Sequence, residues 1–147
     1  MKYQYTIISG WRNKEKVVEL VDKIRQNGKT VYSFIEGDGS NHALKDHEQK
    51  YQPEEFMQKF ESIPDWKNDP RVREIFDIDM QALKDSETVI LLLPAGKSSH
   101  IEAGVAYGLG KNLIVIGEQK ETESLYLIFN EFYNTIDDFI KSFRTVS

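Results

Sequence analysis

Cysteine is absent from this chain. That removes disulfides, thiolate nucleophiles and cysteine-based zinc sites together, and it fits a reducing cytoplasm, which is the expected location. Histidine is scarce: His42, His47 and His100 are the only three, and they lack the spacing of a metal-ligand set, so a metal is not expected. Long apolar runs are missing as well. The opening MKYQYTIISG has too short an apolar stretch for a signal peptide, and no segment approaches the ~18 apolar residues of a membrane helix, so no membrane partner is expected. Positive charge is in deficit, with 19 Lys and Arg against 24 Asp and Glu and a net charge of −5. A phosphate backbone needs a basic face, so a nucleic acid polymer is not an expected partner; a small anion held by one or two local donors remains compatible. Three motifs are missing too: the G-x-x-x-x-G-K-[ST] phosphate loop, the G-x-S-x-G nucleophile elbow, and the dinucleotide fingerprint, since Gly37-Asp38-Gly39 follows a strand-like run but opens no helix promptly.

What is present is a chain of 147 residues, 39% hydrophobic and 12% aromatic, enough for one domain with one core. Tyr3 to Ser9 is β-branched and aromatic and stops at Gly10. Lys14 to Gln26 carries Val17, Val18, Leu20, Val21 and Ile24 at helical spacing, and Asn27-Gly28 closes it. Thr30 to Ile35 reads as a second strand. Glu36 to Asn41 is a loop, His42 to Lys50 is polar and unpatterned, and Pro53 suits the first turn of a helix over Glu54 to Glu61, so a helical excursion is expected at about 36–69. Asp69-Pro70 opens a helix to about Lys84, and Thr88 to Leu93 is a continuous apolar strand of the kind covered on both faces. A helix over Ser99 to Leu109 and a strand over Asn112 to Ile116 follow, then a short apolar piece, Leu125 to Phe129, and a helix from Thr135 to Phe143 with Thr135 as its N-cap. Alternation of this kind specifies an α/β three-layer sandwich: a single domain over 1–147 built on a doubly wound, mostly parallel, five-stranded sheet, flavodoxin-like or Rossmann-like.

Sheets of that kind bind ligands at the carboxyl ends of their strands, where the strand order reverses. The rule selects Ser9, Gly10, Trp11 and Arg12 after the first strand, and Gly96, Lys97, Ser98 and Ser99 after the central one, as candidate binding residues. Arg12 and Lys97, on loops beside a helix N-terminus, suit a small anion. Trp11, like Trp66, equally suits core packing. Glu102 lies one turn further on. Ser99 and Glu102 have the spacing of a capping box, so Glu102 reads either as a helix cap or as a residue presented to a ligand. A second carboxylate is out of place: Asp79 falls within the apolar stripe of Val72, Ile75, Phe76, Met80 and Leu83, either buried or at the stripe's edge reaching water or Arg73, while Asp77 falls on the opposite, solvated side. The small residues Ala103, Gly104, Ala106, Gly108 and Gly110 let the helix after Ser99 lie close to a sheet or to a neighbouring chain.

The run from Ser86 to Pro94 (SETVILLLP), followed by SHIEAGVAYGLGKNLI from Ser99 to Ile114, resembles the nucleoside 2-deoxyribosyltransferase superfamily, which includes 2′-deoxynucleoside 5′-monophosphate N-glycosidases. Members place an apolar strand, a short loop, a helix of the form E-x-G-x-A-x-x-x-G-K, and another strand. Distant TIR-like NAD-cleaving domains also carry a glutamate on a helix after a central strand. The resemblance implies that Glu102 is a catalytic nucleophile and that Asp79, in D-x-x-x-L, is the second acid, which contacts the sugar or assists the leaving base. It implies further that Gly10 lines the site, that Arg12 lies close to where the phosphate-specific members keep an arginine, and that the protein is a homo-oligomer; the small residues of the helix after Ser99 point the same way, to a dimer with Ala103, Tyr107 or neighbouring residues near the contact. The chain departs from the pattern in two places: Ile7 stands where the phosphate-specific members carry a tyrosine, and the loop from Gly96 to Ser99 has its own polar set. The expected partner is a nucleoside or nucleotide and the expected reaction cleavage or transfer at its N-glycosidic bond, with no metal or cofactor required. Two other readings share the pocket: a TIR-like NAD-cleaving or nucleotide-sensing domain, and a non-catalytic nucleotide-binding or interaction module.

Overall fold

The structure, a computed structural model, describes residues 1–36 and 58–144. Its sheet is formed by β1 (Tyr3–Ile8), β2 (Val31–Ser33), β3 (Ser86–Leu92), β4 (Asn112–Ile116) and β5 (Glu131–Tyr133). The spatial order is β2-β1-β3-β4-β5 and every pairing is parallel. The chain leaves β1 for one edge and returns to β3 on its other side, so the order reverses between β1 and β3, and the doubly wound sandwich expected from the sequence is the fold found.

Alternation along the strands sends successive side chains to opposite faces, and both faces are apolar. Ile7, Ile90, Leu92, Ile114 and Ile116 pack on one side with Val17, Leu20, Val21 and Ile24 of α1 (Lys14–Gln26) and Phe139 of α4 (Ile136–Lys141). Ile8, Val89, Leu91, Leu113 and Val115 pack on the other with Leu83 of α2 (Pro70–Lys84), Ala103 and Ala106 of α3 (Lys97–Gly108), and Phe129. Each fully buried aliphatic side chain contributes ~1.5–3 kcal/mol.

The helix ends follow from local chemistry. α1 stops where Gly28 takes φ +76°, with Gly28 N–H donating to the Arg25 carbonyl and Lys29 N–H to that of Ile24. α2 starts at Pro70 because the Asp69 carboxylate accepts from Arg71 N–H at 2.8 Å. At the amino edge of the sheet the Lys111 ammonium donates to the Lys84 carbonyl at 2.9 Å and so fastens the end of α2 to the link between α3 and β4. Among the described residues no helix is long and apolar enough to cross a membrane.

Several elements differ from their sequence-based expectation. β2 is three residues, not Thr30 to Ile35. The piece Leu125 to Phe129 is a 3-10 helix, Ser124–Ile128, and the fifth strand is the brief Glu131–Tyr133 that follows. α4 begins as expected, with the Thr135 hydroxyl accepting from Asp138 N–H, but ends at Lys141 in a 3-10 turn. Of the expected stripe on α2 only Leu83 is fully buried, next to Ala82 outside the stripe; Phe76 is 49% exposed, with the Arg73 guanidinium over its ring. Most of the expected excursion, including Gly37 to Asn41, His42, His47 and Pro53, lies outside the described residues. Its later part shows helix at 58–61 and a 3-10 turn at Trp66–Asn68.

One glycine is dictated by both conformation and space. Gly117, just past β4, has φ +119°, and a Cβ there would stand 2.7 Å from that of Leu93. Gly117→Ala should destabilise the fold by ~2 kcal/mol or more, read as a lower midpoint in chemical denaturation. A midpoint equal to wild type would show that this corner gives way freely.

Candidate active site

The carboxyl ends of β1 and β3 are stitched by Ser9. Its buried hydroxyl donates to the Leu92 carbonyl at 2.7 Å and accepts from the Asn13 side-chain amide at 3.1 Å. Gly10 follows as the N-cap of the 3-10 turn Trp11–Asn13, and nothing lies within 4 Å of where its side chain would be, so the gap in front of it is open. Trp11 is half-buried, edge-on to Phe34 at 5.2 Å, and packs on the α1 side; it is a wall residue at the mouth. Arg12 is exposed, with Nη2 3.9 Å from the Glu61 carboxylate.

After β3, the chain turns through Leu93, Pro94, Ala95 and Gly96 into α3. Gly96 is the N-cap, with extended backbone and no side-chain cap, so the helix begins at Lys97, two residues earlier than expected. Ser99 is therefore a buried third residue of the helix, and Glu102 is its sixth. A capping box needs its carboxylate at the third helical position, so Glu102 is not a cap. Lys97 and Ser98 face solvent at the helix N-terminus, where backbone N–H groups are free to meet an anion.

Glu102 is half-buried on the flank of α3 that meets α2, and Asp79 of α2 acts on it. Burial first, and the Asp79 charge second, push the Glu102 carboxyl up to about 8. Burial alone raises Asp79 to about 6. Among the described residues no cation and no hydrogen-bond donor partners either carboxylate; Arg73 pairs with Asp77 at 3.3 Å instead. A close, half-buried pair of carboxylates without a counter-charge retains a proton at neutral pH. Such arrangements are costly to the fold and concentrate at sites of chemistry. Among the described residues no cluster of His, Asp and Glu could hold a metal ion.

The small residues of α3 divide by face. Ala103 and Ala106 are buried against the sheet and bring the helix close to it, while Gly104 and Gly108 are exposed with nothing within 4 Å of a notional side chain. Of the residues expected near a contact, Ala103 is 1% exposed and turned to the sheet, while Tyr107 is 59% exposed. Ile7 is buried in the layer that faces α1, on the other side of the sheet from α3, so position 7 points away from the helix that carries Glu102 and does not stand beside that glutamate as the resemblance implied. His100, set aside for its lack of ligand spacing, instead makes two side-chain hydrogen bonds, to the Gly96 carbonyl and the Tyr126 hydroxyl, each at 2.7 Å. No spacing rule reveals such a contact, because its partners lie on separate segments.

No family model matches the chain, and no curated protein matches it. Among solved structures, the CMP N-glycosidase BcmB of Clostridium botulinum shares its fold, with a TM-score of 0.57 and 15% sequence identity over 95% of this chain and 97% of that one. The class that fold and sheet define is the doubly wound parallel α/β sandwich. At this identity the likeness is one of fold.

Proposed function

We propose that this protein cleaves the N-glycosidic bond of a nucleoside 5′-monophosphate. The observation that supports the reading best is the Glu102–Asp79 pair, uncompensated and half-buried at the switch-point edge of a fold shared with an N-glycosidase. Between pH of about 6 and about 8 the pair holds one proton, and glycoside cleavage by two carboxyl groups requires one acid and one carboxylate. Before substrate binds, the higher value puts the proton on Glu102. Sugar binding transfers it to Asp79, so that Glu102 faces C1′ as a carboxylate. A C1′–O bond to Glu102 then forms as the C1′–N bond breaks. The electron pair leaves with the base, which takes the proton from Asp79. Water next attacks the glycosyl ester with Asp79 as general base, releasing the sugar phosphate and restoring the shared proton. Transfer to a second base is the same sequence with a nucleobase in place of water.

The 5′-phosphate is assigned to the rim formed by Arg12, Lys97 and Ser98 at the start of α3. Glu61 would then be displaced from Arg12. In wild type, kcat/KM for a deoxynucleoside 5′-monophosphate should exceed that for the free deoxynucleoside, and Arg12→Ala should lower the former ~10-fold or more with little effect on the latter. Equal values for the two substrates in wild type would remove the phosphate site and leave a nucleoside enzyme.

The exposed face of α3, with Ile101, Gly104, Tyr107 and Gly108, is the proposed contact of a homodimer. Light scattering at micromolar concentration should return twice the chain mass; a monomer there counts against it.

A further inference from the structure

We propose that the His100–Tyr126 hydrogen bond is a brace that holds α3 at the distance from α2 at which Glu102 and Asp79 act as a pair, making His100 and Tyr126 positioning residues. The inference rests on the carboxylate pair being the working site. His100 and Glu102 are two residues apart on one helix, about 200° around its axis, so they point to opposite flanks. Glu102 faces α2, and His100 faces the 3-10 segment Ser124–Ile128.

The bond is oriented by its other end. The Gly96 carbonyl can only accept, so His100 Nδ1 carries the proton in the neutral ring and Nε2 accepts from the Tyr126 hydroxyl. Tyr126 is itself anchored, stacked edge-on to Phe129 at 5.2 Å, and Phe129 is buried in the layer beneath α3. Toward the sheet α3 presents Ala103 and Ala106 as its fully buried apolar side chains, with Val105 packed half-buried beside them; the two alanines allow close approach but interlock little against a sideways slide. Along that direction the two carboxylates repel whenever both are ionised, and the repulsion pushes α3 away from α2. The brace stands on the opposite flank and its anchored segment resists the displacement. The charged groups acting on the two ends are Asp79 on Glu102 and Glu123 on Tyr126.

Loss of the brace lets the carboxyls move apart and water reach them, and both changes favour ionised Glu102. The test is Tyr126→Phe, which keeps the ring and removes only the hydroxyl, beside His100→Phe, which removes both bonds. Carboxyl carbons are followed by NMR through a pH titration, with base release from a deoxynucleoside monophosphate measured in parallel. In both folded variants the Glu102 midpoint should fall by about one pH unit, and kcat should fall ~10-fold with KM within about twofold of wild type. A midpoint equal to wild type overturns the brace, and so does a loss of kcat without a fall in midpoint. If wild type releases no base from any substrate while the midpoint still falls in the variants, the brace stands and the proposed reaction fails.

Discussion

Glu102→Gln is expected to lower base release by ~1000-fold or more, because the amide neither attacks C1′ nor balances the charge of an oxocarbenium-like transition state. The same change should make the protein more stable in alkaline solution. In wild type the Glu102 carboxyl titrates at about 8 when folded, against an ordinary 4.5. The folded chain therefore keeps a proton that the unfolded chain has lost, and this contribution, complete below 4.5, disappears as pH rises through about 8. Gln has no proton to lose. The mutant's advantage is absent at pH 4, grows through neutrality and is full above about 8, at ~2 kcal/mol once the partial exposure of the group is discounted. Paired denaturation curves at pH 4 and pH 9, with a base-release assay, check both halves. Near-normal turnover in the mutant would remove Glu102 from the chemistry, and equal stability at both pH values would remove the burial argument.

Asp79→Asn has the next largest expected effect. In the proposed reaction Asp79 supplies the proton that the departing base takes, so kcat should fall ~100-fold or more. The wild-type dependence of kcat/KM on pH should be bell-shaped, with limbs near 6 and near 8 that belong to the pair. Removing one charge leaves a single titration, and without the Asp79 repulsion the Glu102 midpoint moves down. A profile that keeps both limbs in Asp79→Asn would mean that some other group carries the second titration. A leaving base that departs well without protonation should recover much of the lost rate.

The fold was legible where pattern and punctuation agree. α1 runs from Lys14 to Gln26 as its apolar spacing and Asn27-Gly28 indicate, and β4 is Asn112–Ile116 as read. β5 could not be placed from its residues, since a three-residue strand has no periodicity to detect and its pairing with β4 decides it. At the site, Asp79 was legible as a carboxylate inside an apolar stripe, and the structure leaves it without the Arg73 partner that was its alternative. Ser99 misled because a Ser three residues before a Glu satisfies the capping pattern on sequence alone. Gly96, in extended backbone, starts the helix earlier and turns Ser99 inward. His100 and Tyr126 are 26 positions apart and meet only because α3 and the 3-10 segment lie side by side, which no local rule anticipates.

The bond from Lys111 to the Lys84 carbonyl makes the amino edge a fulcrum. α2 and α3 both run from the carboxyl edge to that edge, so they are two levers fastened at one end. The 12 residues of α3 span ~18 Å, and a swing of ~5° about the fastened end carries Lys97 sideways by ~1.5 Å. Glu102, nearer the fulcrum, travels less than Lys97 in the same swing. His100, the fourth residue of the helix, would move by ~1 Å in that swing, so the His100–Tyr126 bond sits far out on the arm, where a small force holds the lever, and Lys97 moves only as far as that bond allows.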